Sequence, residues 1–433
     1  MKTEQTNETS IALFFDGTGN NMTNSQKDPV KYGNLTNIAQ LFDACTLTDK
    51  VYIEGVGTRD QMEDSVYAKA TGNNPLGYSG YSYLDKLDKG ISFLKTYSEQ
   101  HPNETLNILI YGFSRGATLA RNFAKNALNF PKVRIKYLGV FDTVVSLLTV
   151  TPIIHFTAEE LEKIDQITHI CAVNETRDYF PLTSIQNKNG SKDLVNLENY
   201  YTAKVKEIFV PGAHADVGGG YTVGAEKVYL NQVRGSHDSL VKDLSVIRST
   251  VKDNFSCANP QLIWFCLLDE NVSFQPLNVG YNLVSERAKV SIEMCRAYFE
   301  VMASVSNTFC KTNIFEYKAA IGVSVLVKLR DDLIQYLNSN VPLKGACYGY
   351  RDFADYTHIS ANYGTVDKAD TNATLNTFDP VLLLLEMQKI KEENPGSNLE
   401  MERENAIFET FDMGTSLVNI PSNGQWHRKV IYG

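Results

Sequence analysis

Ile108-Leu109-Ile110-Tyr111-Gly112-Phe113-Ser114-Arg115-Gly116-Ala117 joins an apolar run to a Gly-x-Ser-x-Gly turn, and a helix-forming segment follows at 117–128. That order is the sequence form of a nucleophile elbow, a sharp strand-to-helix turn that lifts a serine hydroxyl above a sheet. Gly112 and Gly116 remove side chains where strand and helix come close, and Ser114 is expected to take a strained backbone. The pentapeptide alone recurs by chance. The strand before it and the helix after it make Ser114 a candidate nucleophile.

Working outward, short apolar runs at 11–15, 51–54, 133–141, 166–173 and 205–210 read as further strands. A helical repeat of Leu84, Leu87, Ile91 and Leu94 lies between two of them. Strands alternating with helices predict a mostly parallel sheet with helices on both faces. Function then belongs at the carboxyl ends of the strands, where Asp16, Ser114, Asp142 and His214 fall. Residues 60–80 read as a long surface loop. Residues 223–342 read as mainly helical, at 239–251, 284–305 and 324–337, with 262–268 returning to the sheet. The stretch 283–305 is apolar on more than one side, which fits burial between layers or a lid touching a membrane. The expected organisation is a hydrolase core at 1–222, a helical cap at 223–342, and a return to the core with a polar tail, including a helix at 381–392, at 343–433.

The chain has 433 residues, 43% of them hydrophobic, enough for a large core. A net charge of −9 and a pI near 5.4 disfavour a nucleic-acid partner. Residues 1–10 lack an apolar h-region, so the expectation is synthesis in the cytoplasm without an export signal peptide. No apolar run reaches membrane-spanning length. Seven scattered cysteines without a Cys-x-x-Cys pair predict reduced thiols and no zinc site.

A serine hydroxyl needs a general base, held in turn by a carboxylate, and an α/β hydrolase supplies them in the chain order Ser, Asp, His. Two pairs satisfy that order. Asp142 with His214 is preferred: the acid ends the strand after the elbow, and the base sits on a loop loosened by Gly212 and by Gly218, Gly219 and Gly220. Asp216 with His358 is the alternative. His169 lies inside a strand, as a satisfied core histidine would. His101 reads as a helix-exit residue and His237 as a helix start capped by Asp238 or Ser239, while His155 lies in a poor context and His427 near the end of the chain. The oxyanion donors are expected from the N–H of Arg115 and that of Gly17 or Thr18. Asp16 reads as a supporting residue. A haloacid-dehalogenase-type phosphatase is disfavoured because Phe14 stands where its nucleophilic aspartate would be. Asp16, Asp142 and Asp216 could meet around a hard cation, but no spacing demands one, so neither metal nor cofactor is expected.

Four segments together resemble one family: residues 15–20 (FDGTGN), 112–117 (GFSRGA), 139–144 (GVFDTV) and 211–221 (PGAHADVGGGY). They are similar to hallmarks of the α/β-hydrolase domain of bacterial type VI secretion phospholipase effectors and their less characterised bacterial and fungal relatives. The resemblance implies hydrolysis of phospholipid esters, with Ser114 as nucleophile, Asp142 as acid and His214 as base. It also implies an immunity protein and a secretion spike protein as partners, peripheral membrane contact, and export by type VI secretion. Asn174 departs from the pattern, where relatives carry an aspartate, and the match weakens beyond Tyr221. The reading is therefore a lipid ester hydrolase acting as an antibacterial effector. A carboxylesterase for small soluble esters and a non-catalytic binding protein on the same fold are the alternatives.

Overall fold

The computed structural model describes residues 8–146, 152–188, 190–193, 197, 199–231, 234–253, 271–339, 350–363, 419–422, 426 and 428–432. In chain order the first strands are β1 (Glu8–Phe15), β2 (Lys50–Ile53), β3 (Thr105–Phe113), β4 (Val133–Phe141) and β5 (Ile167–Ala172). Next come β6 (Leu182–Thr183), β7 (Gly190–Asp193), β8 (Tyr200–Tyr201), β9 (Val205–Val210) and β10 (Gly224–Tyr229). The last are β11 (Val272–Pro276), β12 (Tyr281–Val290) and β13 (Lys429–Tyr432). The principal sheet has the order β2-β1-β3-β4-β5-β9-β8, parallel throughout except for the β8 edge.

Side chains alternate across this sheet, and both faces are covered, which is why its strands read as continuous apolar runs. Ile11, Leu13 and Phe15 of β1 pack with Ile108 and Ile110 of β3 against helices Tyr83–Gln100 and Arg115–Ala127. Ala12 and Phe14 face the other way with Leu109, Tyr111 and Phe113, against helices Asn37–Ala44 and Glu293–Cys310. Phe14 and Tyr111 stack there, with ring centroids 5.2 Å apart. The result is the mostly parallel sheet between helices expected from the sequence.

The region after Tyr221 differs from the sequence reading. Residues 281–290 form strand β12, at the centre of an antiparallel β10-β12-β11 sheet, and the helix begins only at Glu293. Periodicity does not separate a buried strand from a buried helix, and β12 is held by partners distant in sequence. Helix Glu293–Cys310 is not a lid: Met294, Tyr298, Met302 and Val305 are buried in the core beneath the principal sheet. Residues 60–80 contain a short helix, Val66–Thr71, capped by Ser65. Helix His237–Asp253 is capped by Ser236, whose hydroxyl accepts from the Ser239 amide at 3.2 Å, rather than by Asp238 or Ser239. The expected elements at 262–268 and 381–392, and His427, lie outside the described residues. Among the described residues no helix is long and apolar enough to cross a membrane.

A core role for helix Glu293–Cys310 makes Met302→Ala costly. Met302 is fully buried, with its sulfur 3.7 Å from the Tyr137 hydroxyl. The expected loss is about 2–5 kcal/mol in urea-unfolding stability; a lid residue would leave the midpoint unmoved.

Candidate active site

The elbow is built by close approach. A Cβ on Gly112 would lie 2.6 Å from the Gly116 carbonyl oxygen, and one on Gly116 would lie 2.3 Å from the carbonyl oxygens of Phe15 and Asp16. Strand, helix and the end of β1 meet there at distances only glycine permits. Between them Ser114 adopts φ 58°, ψ −128°, a conformation strained for any residue with a Cβ. Its amide donates to the Phe141 carbonyl at 3.1 Å, which ties the elbow to the end of β4, just before Asp142.

Asp142 also has positive φ, 37°, and is fully buried. Three donors meet its carboxylate. The Ala172 amide lies 2.8 Å and Arg428 Nη2 2.7 Å from Oδ1, and His214 Nδ1 lies 2.6 Å from Oδ2. Burial alone would raise its pKa, but the Arg428 charge and the His214 hydrogen bond outweigh it and hold it below the usual carboxylate value. Thr143, the next residue, is anchored by His169. The Thr143 amide donates to His169 Nε2 at 3.1 Å, so the ring proton lies on Nδ1 and is donated to Glu207 at 2.8 Å. His169 is thus a satisfied core histidine. His169, Cys171 and Glu207 could converge on a metal ion, but His169 Nε2 is already taken by that amide, and Glu207 also accepts from Ser184 and the Ile185 amide.

His214 begins the short helix His214–Gly218 at the end of β9. Its imidazole packs on Phe113, the residue before Ser114, with centroids 4.5 Å apart, and meets Phe180 edge-on at 5.2 Å. Gly218 lets the helix settle on Phe113, since a Cβ would fall 2.0 Å from its ring. Burial pushes the His214 pKa below 6.5, and the Asp142 hydrogen bond only partly restores it. The imidazole is therefore neutral at neutral pH. With Nδ1–H directed at Asp142, Nε2 is left as the basic atom.

The alternative pair forms as well. His358 Nδ1 lies 2.6 Å from Asp216 Oδ1, while Oδ2 accepts the amides of His358 and Ala213, both at 2.8 Å. The His358 ring stacks on Tyr221 at 4.1 Å, not on the elbow. Asp216 is thus the clasp that fastens residues 356–361 to the helix carrying His214.

The loop after β1 packs against both flanks of Ser114-Arg115, touching Phe113 through Gly17 and Gly116 through the Phe15 and Asp16 carbonyls. Asp16 braces it by accepting from the Thr36 and Tyr52 hydroxyls at 2.7 and 2.6 Å and from the Gly17 amide at 2.7 Å. Burial outweighs these bonds and pushes the Asp16 pKa up to about 6. The Gly17 N–H is therefore spent, which narrows the expected oxyanion pair to Thr18 and Arg115. Arg115 opens the elbow helix, where amides lack intrahelical partners.

Arg428 and the Arg177–Glu175 pair were not anticipated, and Asn174 was noted only as a departure from the family pattern. Arg428, fully buried, precedes β13, which lies between β6 and β7. Arg177 forms a fork-to-fork pair with Glu175 at 2.9 and 2.8 Å and lies 3.4 Å over the Phe180 ring. That charge holds Glu175 down to about 2 despite burial, and Glu175 accepts the His214 amide at 3.3 Å. Asn174, the departure noted in the sequence, exchanges two hydrogen bonds with the backbone of Gly212. It supports the loop before His214 without reaching Asp142. Asn174 drew notice as a mismatch, but no local pattern distinguishes Arg428.

Arg428→Met leaves Asp142 buried without its cation. We expect about 3–5 kcal/mol lower stability at neutral pH. A depressed carboxylate stabilises above its unfolded value, 3.8, and this contribution fades as pH falls through the lower folded value. The gap between wild type and variant should therefore close in acid, read by thermal melting across pH.

Residues 9–128 and 122–241 match the family model for the type VI secretion system phospholipase effector Tle1-like catalytic domain, together more than half of the chain. Among solved structures, the Tle1 effector bound to the VgrG spike of the type VI secretion system is similar at TM-score 0.55 and 19% identity, covering 84% of this chain and 86% of that one. An uncharacterised protein from Pseudomonas aeruginosa aligns at TM-score 0.39 and 16% identity, over 97% of this chain and 65% of that one. No curated protein sequence matches significantly. On the family match, and with a fold to agree, this chain belongs to the Tle1-like catalytic-domain family of type VI secretion phospholipase effectors.

Proposed function

We propose that the chain hydrolyses carboxylic esters of phospholipids through an acyl-enzyme on Ser114. The observation that carries this reading is the 2.6 Å Asp142–His214 pair whose imidazole rests on Phe113, beside the strained Ser114. His214 Nε2 takes the serine proton as Oγ attacks the ester carbonyl. The amides of Arg115 and Thr18 bind the oxyanion, and the proton passes to the departing glycerol alcohol. Water, deprotonated by the same nitrogen, then releases the fatty acid and restores Ser114. Asp142 holds the imidazole tautomer and stabilises the imidazolium, and Arg428 keeps that carboxylate ionised. We further propose that the chain acts on a rival bacterium; the family supports delivery by type VI secretion, and the similar Tle1 effector bound to the VgrG spike supports a spike protein as partner.

The test is fatty-acid release from mixed phospholipid vesicles by wild type, Ser114→Ala, His214→Ala and His358→Ala. Ser114→Ala and His214→Ala are expected to lose at least about 10³-fold in kcat while remaining folded. Activity surviving in His214→Ala but not in His358→Ala would move the base to the Asp216 pair. Cleavage of short soluble esters alone would indicate a small-ester hydrolase, and failure to react with a fluorophosphonate probe would indicate a binding protein.

The pH profile is a separate check. Because burial lowers the His214 pKa from 6.5, the acid limb of kcat/KM should fall below pH 6.5. An acid limb above that value would contradict a neutral, buried base.

A further inference from the structure

We propose that the Arg115 guanidinium is a receptor for a phosphate group beside the nucleophile, an inference that rests on the phospholipid-hydrolase reading when the phosphate is that of a lipid headgroup. The arginines around the site differ in their partners. Arg428 is paired with Asp142 and Arg177 with Glu175. Among the described residues Arg115 has no ion pair, and its Nη1 is shut off from solvent with no hydrogen-bond acceptor. Among the described residues no carboxylate opposes the burial that draws this guanidinium down to about 10. Arg115 is partly buried as a residue, with its Nη1 sealed from water, and a cation short of both water and a counter-ion is a candidate for an anionic ligand.

A second orphan lies across the loop–elbow contact. Thr18 Oγ1 is also buried and without a partner among the described residues. Its loop is pressed against Phe113 and Gly116, on the two flanks of Ser114-Arg115. An arginine fork and a hydroxyl donor suit the oxygens of a phosphate. The spacing suits a lipid. In a glycerophospholipid the carbonyl carbon of the nearer ester is five bonds from phosphorus, about 7.5 Å along the chain at about 1.5 Å per bond and roughly 6 Å end to end once the zigzag is allowed for. Arg115 is the neighbour of Ser114 in sequence, so its side chain can span that interval. A neutral glyceride offers the same ester but no anion. Arg115 then sets selectivity for phosphorylated lipids through its side chain, apart from the role of its amide.

Two measurements test this. In the first, inorganic phosphate is titrated at constant ionic strength into Ser114→Ala and into Ser114→Ala/Arg115→Met, followed by thermal melting. Phosphate should raise the Tm of the single variant only. Equal phosphate response in both overturns the receptor, whatever the enzyme hydrolyses.

In the second, kcat/KM is compared on phosphatidylethanolamine and on diacylglycerol with the same acyl chains, in matched mixed micelles. The ratio between the substrates should fall about 10- to 100-fold in Arg115→Met, the worth of one or two charge-assisted hydrogen bonds. It should recover in part in Arg115→Lys, which also reports whether the site still folds. A wild type inactive on phospholipid, with the phosphate response intact, would retain the receptor for a free phosphate and discard the lipid. An unchanged ratio in an enzyme that does cleave phospholipid would overturn the headgroup role and leave the phospholipase reading standing.

Discussion

A carboxylate sealed from water must find donors and positive charge within the protein, and at Asp142 that requirement joins distant parts of the chain. Its oxygens are met by the Ala172 amide at the end of β5, by His214 after β9 and by Arg428 near the carboxyl end. Without these partners burial would favour a protonated acid, unable to orient or stabilise an imidazolium. The three contacts together keep it charged. Residues 429–432 pair between β6 and β7, and that strand places the preceding Arg428 against Asp142.

The same logic recurs around it. His169 is held by Glu207, His214 by Asp142 and His358 by Asp216, each through Nδ1. Their surroundings separate their roles. His169 has its second nitrogen occupied by an amide and serves as a fastening for the residue after Asp142. His358 shares a carboxylate with two backbone amides and clasps the segment carrying it to the helix of His214. Only the His214 ring rests on the residue that precedes the serine. Three similar pairs thus give a strut, a clasp and a candidate base, distinguished by where the other ring atom faces and what the ring lies upon.

The elbow, the strand ends and the two candidate acid–histidine pairs were legible because they rest on local rules. Glycines mark close approach, apolar runs mark strands buried on both faces, and the topology puts strand ends on one edge. Legibility failed where the deciding partner is remote. Residues 281–290 are apolar enough for either a strand or a helix, and two antiparallel neighbours decide for the strand. Gly17 looked as suitable as Thr18 for the oxyanion until the Asp16 carboxylate, braced by Thr36 and Tyr52, was seen to take its amide.

By itself the sequence determined the strand–turn–helix at Ser114, the alternation that makes a mostly parallel sheet, and the two carboxylate–histidine pairings compatible with chain order. These are properties of short segments, set by sterics and hydrophobic period. Tertiary structure alone decided that both pairings form, that His214 is the one lying on the elbow, that Arg428 pairs with Asp142, and that Arg115 has no counter-ion among the described residues. Each depends on which charges become neighbours once water is removed, and such neighbours come from segments too far apart in sequence for any local pattern to register them.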